Sequence, residues 1–147
     1  AGLSSRGILD FGAAARFAAG VIARFDVRTS GPHQTARTLS GGNLQKFSIG
    51  REIAQAPTVL VAAQPTWGVD AAAAATVHRA LIALAEAGTA VLVISQDLDE
   101  LRSLSHRLAI LSDGRLSGAR PTADLSLAEI GALMGGSSLE EGLHATA

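Results

Sequence analysis

Residues 58–97, TVLVAAQPTWGVDAAAAATVHRALIALAEAGTAVLVISQD, decide the fold. They open on TVLVAA (58–63), a short apolar run rich in β-branched residues, which is the pattern of a buried strand. The turn-like QPTWG follows, and Asp70 then stands where it caps a helix that carries Val77, Leu81 and Leu84 on one face and stops at Gly88. TAVLVIS (89–95) repeats the buried-strand pattern. Asp97 and Glu100 sit at capping-box spacing for a short helix with Leu98, Leu101 and Leu104 inward. Strand, helix, strand, helix predicts parallel pairing and an α/β fold.

Upstream, Phe11, Ala14, Phe17, Ala18, Val21 and Ile22 recur at helical spacing, predicting a helix from about Ile8 to Phe25. A polar loop, RTSGPHQTART (28–38), leads to a second helix from Asn43 to about Ala54, entered through Gly41-Gly42 and closed before Pro57. Downstream, RLAIL (107–111) and RLSG (115–118) read as a hairpin around Asp-Gly. Ser126 and Glu129 form a further capping box for a last helix with Ile130, Leu133 and Met134 as apolar contacts, and the tail from Gly135 reads as frayed.

Composition narrows the chemistry. Twelve basic against 13 acidic side chains, a formal charge of −1, give no excess of cations for duplex phosphates, so nucleic acid is not an expected partner. With no cysteine among 147 residues, disulfides, thiolate metal sites and thiol catalysis are all excluded. The mean hydropathy of +0.30 comes largely from alanine, and no apolar run approaches the roughly 18 residues that a spanning helix needs. The start has neither an initiator Met nor the layout of a signal peptide, so the chain reads as a cytosolic piece of a longer protein.

Ligands of open α/β sheets bind beyond the carboxyl ends of the strands, which directs attention to Gln64–Asp70 and Ser95–Asp97. A third candidate is LSGGNLQK (39–46), where Ser40, Gly41 and Gly42 put a hydroxyl and unobstructed N–H groups at a helix N-terminus, an arrangement suited to phosphate. These three segments carry a resemblance. LSGGNLQK resembles the signature motif of ATP-binding cassette (ABC) ATPases; VLVAAQPTWGVD (59–70) is similar to that family's Walker B strand and D-loop; VLVISQDLDEL (91–101) resembles its switch-histidine strand and helix. The GGN variant with QPTWGVD is similar to the second cassette of tandem nucleoside or simple-sugar importer ATPases.

The resemblance implies the C-terminal portion of a P-loop NTPase, a mostly parallel sheet flanked by helices that lacks the Walker A strand and loop. The phosphate-cradling GxxxxGK(S/T) needs a lysine, and the only lysine is Lys46, inside the signature. It implies three segments: 1–56 as the end of the helical subdomain with the signature and its helix, 57–125 as the Walker B to switch region with a terminal hairpin, and 126–147 as the C-terminal helix and tail. It also implies degeneracy. The family's magnesium-holding Asp, water-polarising Glu and γ-phosphate-contacting His fall at Ala63, Gln64 and Gln96. None supplies a carboxylate or an imidazole, and a general base alone is worth roughly a hundred- to ten-thousandfold.

Two cassettes of this family meet head to tail, so the resemblance places Ser40, Gly41, Gly42, Asn43 and Gln45 against ATP held, with Mg²⁺, mainly by a partner cassette. Asp70 takes the D-loop position. The implied partners are a second nucleotide-binding domain and membrane permease subunits at the cytoplasmic face of the membrane. The alternatives are a structural or regulatory half with no nucleotide contact, and a non-transport ABC ATPase of DNA repair or translation. A negative side chain at Gly42 is expected to abolish function in the first reading and to matter little in a structural half.

Plainer readings compete at several positions. LSGGNLQK by itself is a glycine-rich loop capping a helix, and Pro65 and Gly68 are ordinary turn residues. Trp67 is expected to be a partly buried aromatic rather than a nucleotide-stacking one. His33, His78, His106 and His144 are scattered without ligand spacing, so no metal site is expected. Capping and the helix dipole account for Asp97, Asp99 and Glu100. No GxSxG elbow makes Ser40 a nucleophile.

Overall fold

Asp10, Asp70, Asp97 and Ser126 each accept a backbone N–H three residues on, and in so doing they set where four of the five α-helices begin. The computed structural model in which this is seen describes residues 3–5 and 8–136. It divides the chain into two compact units, Ala1–Gln96 and Asp97–Ala147.

In the first unit, strands β1 (Ser4–Ser5) and β2 (Ile8–Leu9) pair antiparallel ahead of helix α1 (Phe11–Arg24). Helix α1 therefore starts later than its apolar spacing suggests, because Asp10 Oδ1 takes the Ala13 N–H at 2.9 Å and Ile8 is held in β2. Phe11, expected inward, is 78% exposed in the first turn. Helix α2 (Gly41–Ala54) starts on Gly41, two residues before its apolar pattern begins. Val21, Phe25 and Val27 are buried with Ile49 and Ile53 of α2, and the buried Lys46 donates through Nζ to the Asp26 carbonyl at 2.6 Å. Asp26 is in the left-handed region, so that bond fixes the turn leaving α1.

Strand β3 (Val59–Ala63), helix α3 (Ala71–Glu86) and strand β4 (Ala90–Ile94) form the expected βαβ unit, parallel and in register from Val59 opposite Ala90 to Ala63 opposite Ile94. Val77, Leu81 and Leu84 are buried as expected, joined by Ala73 and Ala80. Gly88, at φ +98°, ends the helix with a conformation suited to glycine. Helices α2 and α3 cover one face of the strand pair, burying Leu60 and Ala62. The other face is bare: Val59, Val61, Leu92 and Ile94 are each more than half exposed. The two runs read as fully buried strands, whereas only one of their faces is covered here.

In the second unit, α4 (Leu98–Leu104) is followed by β5 (Arg107–Leu108), β6 (Leu111–Ser112), β7 (Arg115–Leu116), β8 (Arg120–Pro121) and α5 (Leu127–Met134). The Asp-Gly hairpin is present, with Leu111 opposite Leu116 and both Asp113 and Gly114 at positive φ, the signature of a type I′ turn. The expected first arm is split, because β5 pairs with β8 rather than continuing the hairpin. Leu108, Leu125 and Ile130 form the core, with Leu98, Leu101 and Ile110 packed against it. Met134 is 60% exposed and contributes little. The capping box is complete, Ser126 Oγ accepting from Glu129 N and Glu129 Oε2 from Ser126 N. The expected frayed tail and His144 fall mainly beyond 136, outside the described residues. Among the described residues, no helix is long and apolar enough to cross a membrane.

Two glycines give opposite tests of this packing. A Cβ at Gly50 would lie 2.5 Å from Phe25 Cδ2, whereas one at Gly20, within α1, meets nothing within 4 Å. Gly50→Ala is expected to cost about 1–3 kcal/mol of stability through overpacking. Gly20→Ala is expected to add roughly 0.5–1 kcal/mol by restricting the unfolded chain. Thermal and urea unfolding of the two variants check both signs.

Candidate functional site

Ser40 occupies the N-cap position of α2, yet its hydroxyl accepts no N–H from the helix. Among the described residues α2 is the one α-helix without a side-chain cap, so its first N–H groups keep their donor capacity. The plainer reading of Ser40 as a helix cap is thus not the geometry adopted. Its Oγ instead receives Asn43 Nδ2 at 2.8 Å, and Asn43 Oδ1 receives the Arg28 N–H at 2.9 Å. Ser40 and Gly41 are exposed, and a Cβ built on Gly41 meets nothing within 4 Å.

Gly42 is different. A Cβ there would stand 2.7 Å from the Gly68 carbonyl oxygen, so the loop after β3 lies directly on the first turn of α2. Gly68 itself is at φ +71°. Gln45, one turn on, donates through Nε2 to the carbonyls of Gln64 at 2.9 Å and Pro65 at 3.2 Å. Of the five signature residues singled out from the sequence, Ser40 and Gly41 face outward, Gly42 provides a close approach, and the amides of Asn43 and Gln45 are engaged within the chain. Aspartate at Gly42 would combine charge with a backbone collision; Gly41 isolates the charge.

At the strand ends, Ala63, Gln64 and Gln96 come together with Gln45 and Trp67 around an open cleft of about 380 Å³. Gln64 is at φ +49°, a conformation unusual for a residue with a Cβ. Its N–H donates to Ile94 O at 2.7 Å and its carbonyl accepts from Trp67 N as well as Gln45, which holds the strained turn in place. Trp67, expected partly buried, is 72% exposed at the cleft. The cleft contains neutral amides, an indole and a methyl group, and no carboxylate or imidazole lines it. Among the described residues no three His, Cys, Asp or Glu side chains stand close enough to hold a metal. The oxygens these side chains offer are neutral amide carbonyls, a weak set for a hard divalent cation, whose sites include at least one carboxylate as a rule.

Asp70 closes the loop by capping α3, its Oδ1 accepting the Ala73 N–H at 2.9 Å. That bond chiefly holds its carboxyl below the ordinary value, with Lys46, the Ala72 N–H and Arg28 adding to it against a desolvation that acts the other way. Asp97 caps α4 through Glu100 N, as the capping account expects. His33 and His106 are exposed and His78 is half-buried on α3. Sequence reasoning missed the Arg28 N–H and the Gly68 carbonyl, since main-chain atoms leave no mark in the residue pattern.

No protein-family model matches the chain. Over 138 residues, 94% of its length, it is 43% identical to the guanosine import ATP-binding protein NupO of Bacillus subtilis. Over 139 residues it is 40% identical to the nucleoside import ATP-binding protein NupA of Lactococcus lactis subsp. cremoris. The chain spans about a quarter of the length of these curated relatives, 27% and 28%. Its fold is that of a dimeric ATP-binding cassette solved in a post-hydrolysis state with ADP and Pi, at a TM-score of 0.67 and 24% identity over 80% of this chain and 51% of that one.

A depressed carboxyl stabilises the fold above its unfolded pKa and loses that contribution as pH falls through the folded value. Asp70 and Glu129, the latter held down first by the Ser126 N–H and hydroxyl and then by Arg120, both act in this direction. The thermal midpoint is therefore expected to fall as pH drops below about 4. Asp70→Asn, which keeps an acceptor for Ala73, is expected to flatten its share of that fall. A midpoint series from pH 7 downward on both chains checks it.

Proposed function

Because this chain belongs to the ATP-binding cassette family, we propose that it acts in an importer of nucleosides or simple sugars as the half that lends its signature turn to ATP bound by another cassette. The observation that carries the reading is the uncapped start of α2, where Ser40 and Gly41 face outward with free space before them. A terminal phosphate there meets backbone N–H groups, a hydroxyl and the positive end of the helix dipole, with no carboxylate at Gly41 or Gly42 to repel it. ATP and Mg²⁺ are then held mainly by the partner. The proposed partners are a second nucleotide-binding domain and permease subunits at the cytoplasmic face of the membrane.

The strand-end cleft supports the other half of the proposal, a catalytically degenerate site on this chain's own side. Gln64 offers a neutral amide where a water-activating carboxylate is needed, Ala63 offers no ligand atom, and Gln96 offers no imidazole. Loss of a general base alone removes roughly a hundred- to ten-thousandfold of rate. The pair of sites is thus asymmetric, one completed by Ser40 and Gly41 and the other unable to turn over at a useful rate. Asp70, fixed as the cap of α3 beside the turn that contacts Gly42, is proposed to link the two.

The test is magnesium-dependent ATP hydrolysis by the matching Walker A-bearing cassette, with and without this chain, after circular dichroism has established that the added chain is folded. Stimulation is expected with the native chain and is expected to vanish with Gly41→Asp, which adds charge in open space. No hydrolysis above background is expected from this chain alone. Stimulation that survives Gly41→Asp, or none from a folded chain, would assign it a purely structural or regulatory role.

A further inference from the structure

Asn43 has both ends of its amide committed inside the chain, and the commitment is directional. Arg28 N–H can only donate, so the atom 2.9 Å from it is the amide oxygen, and the atom 2.8 Å from Ser40 Oγ is the amide nitrogen. The usual ambiguity of an asparagine amide is thereby removed. Ser40 Oγ is an acceptor in this bond, and no N–H of α2 donates to it. Its own hydrogen is not used in the bond to Asn43, and the residue is exposed.

From this arrangement we propose that Asn43 is a positioning residue that makes Ser40 an outward hydrogen-bond donor, rather than a ligand of nucleotide itself. The inference rests on the reading that Ser40 meets a phosphate bound by a partner cassette. A serine hydroxyl free to rotate can present either a lone pair or a hydrogen; towards an anionic oxygen only the hydrogen attracts. Accepting from Asn43 selects that orientation in advance and polarises the O–H, so less is lost in ordering it when the anion arrives. The Arg28 N–H completes the chain of three groups, peptide to amide to hydroxyl, each donating outward to the next.

The discriminating substitution is Asn43→Asp. A carboxylate still accepts from Arg28, but it cannot donate to Ser40, and it turns the serine hydrogen inward to itself. The measurements are the affinity of a non-hydrolysable ATP analogue for the pair formed by this chain and a Walker A-bearing cassette, and hydrogen exchange of the Arg28 amide. Asn43→Asp is expected to leave Arg28 protected and to weaken the analogue roughly tenfold or more, the worth of a hydrogen bond to a charged group. In a Ser40→Ala background the same substitution is expected to cost clearly less, the remaining loss being that of the added charge alone. Asn43→Ala, which adds no charge, is expected to accelerate Arg28 exchange and to weaken binding only while Ser40 is present.

Three outcomes overturn the proposal. Equal losses with and without Ser40 would make the effect one of added charge or general loop damage. A neutral Asn43→Asp beside a costly Ser40→Ala would remove the positioning role and leave the phosphate reading standing. A neutral Ser40→Ala would remove both.

Discussion

The contact between the first turn of α2 and the loop that leaves β3 is the constraint on which the candidate site depends. A glycine at 42 lets the Gly68 carbonyl approach to a distance that no side chain permits, and Gln45 then ties the same helix to the carbonyls of Gln64 and Pro65. Lys46 anchors the helix on its other side, to the turn that leaves α1. Two stretches of chain far apart in sequence, the turn after α1 and the loop after β3, are thus held by one helical segment of a few residues. The strained conformation of Gln64 is tolerable because its N–H and its carbonyl are both clamped. Loosen α2 and the signature turn, the cleft and the start of α3 all lose their reference point.

That mechanical unity sets two unlike chemistries side by side. The start of α2 is rich in donors and poor in acceptors, since its N-cap oxygen is occupied by Asn43 rather than by the helix. The strand-end cleft holds amides of both senses and no charge. Anion recognition and acid–base chemistry make opposite demands: the first is served by fixed N–H groups, the second needs a group whose proton affinity suits the reaction. On the proposed reading this chain keeps the first capacity and has given up the second. Such a half can complete a site elsewhere without turning over nucleotide on its own side. The two regions are nevertheless in direct contact, through the Gln45 amide and the Gly68 carbonyl.

Much of this was legible because the signals were strong and local. Parallel pairing of β3 with β4, the apolar face of α3, the Ser126–Glu129 capping box and the Asp-Gly turn follow from periodicity and from side-chain chemistry within a few residues. Boundaries shifted where a polar residue competed with apolar spacing, as when Asp10 delayed α1 and left Phe11 in its exposed first turn. The split of RLAIL between two pairings was not legible, since β8 offers only two residues, one of them proline, as a strand signal. At the candidate site, residue types singled out segments that the structure brings together, but not the contacts each residue makes. Asn43 and Gln45 look alike as polar members of one motif, and only their partners separate an amide that braces a hydroxyl from one that braces a loop.

One face of the β3–β4 pair is bare. Continuous apolar runs, unlike the alternation of a one-sided sheet, are the mark of strands covered on both faces. Here α2 and α3 cover one face, while Val59, Val61, Leu92 and Ile94 stand in solvent on the other, and neither strand has a second partner among the described residues. An exposed apolar surface of this kind, flanked by unpaired strand edges, favours association with whatever layer fits it. The helices on the covered face are α2, which begins at the Ser40–Gly42 turn, and α3, which Asp70 caps. Material added to the bare face would stiffen the strands whose ends define the cleft without touching α2. The architecture therefore separates the bare strand face from the surface that presents Ser40 and Gly41, and on the proposed reading that separation lets a half without catalysis of its own keep its donor face.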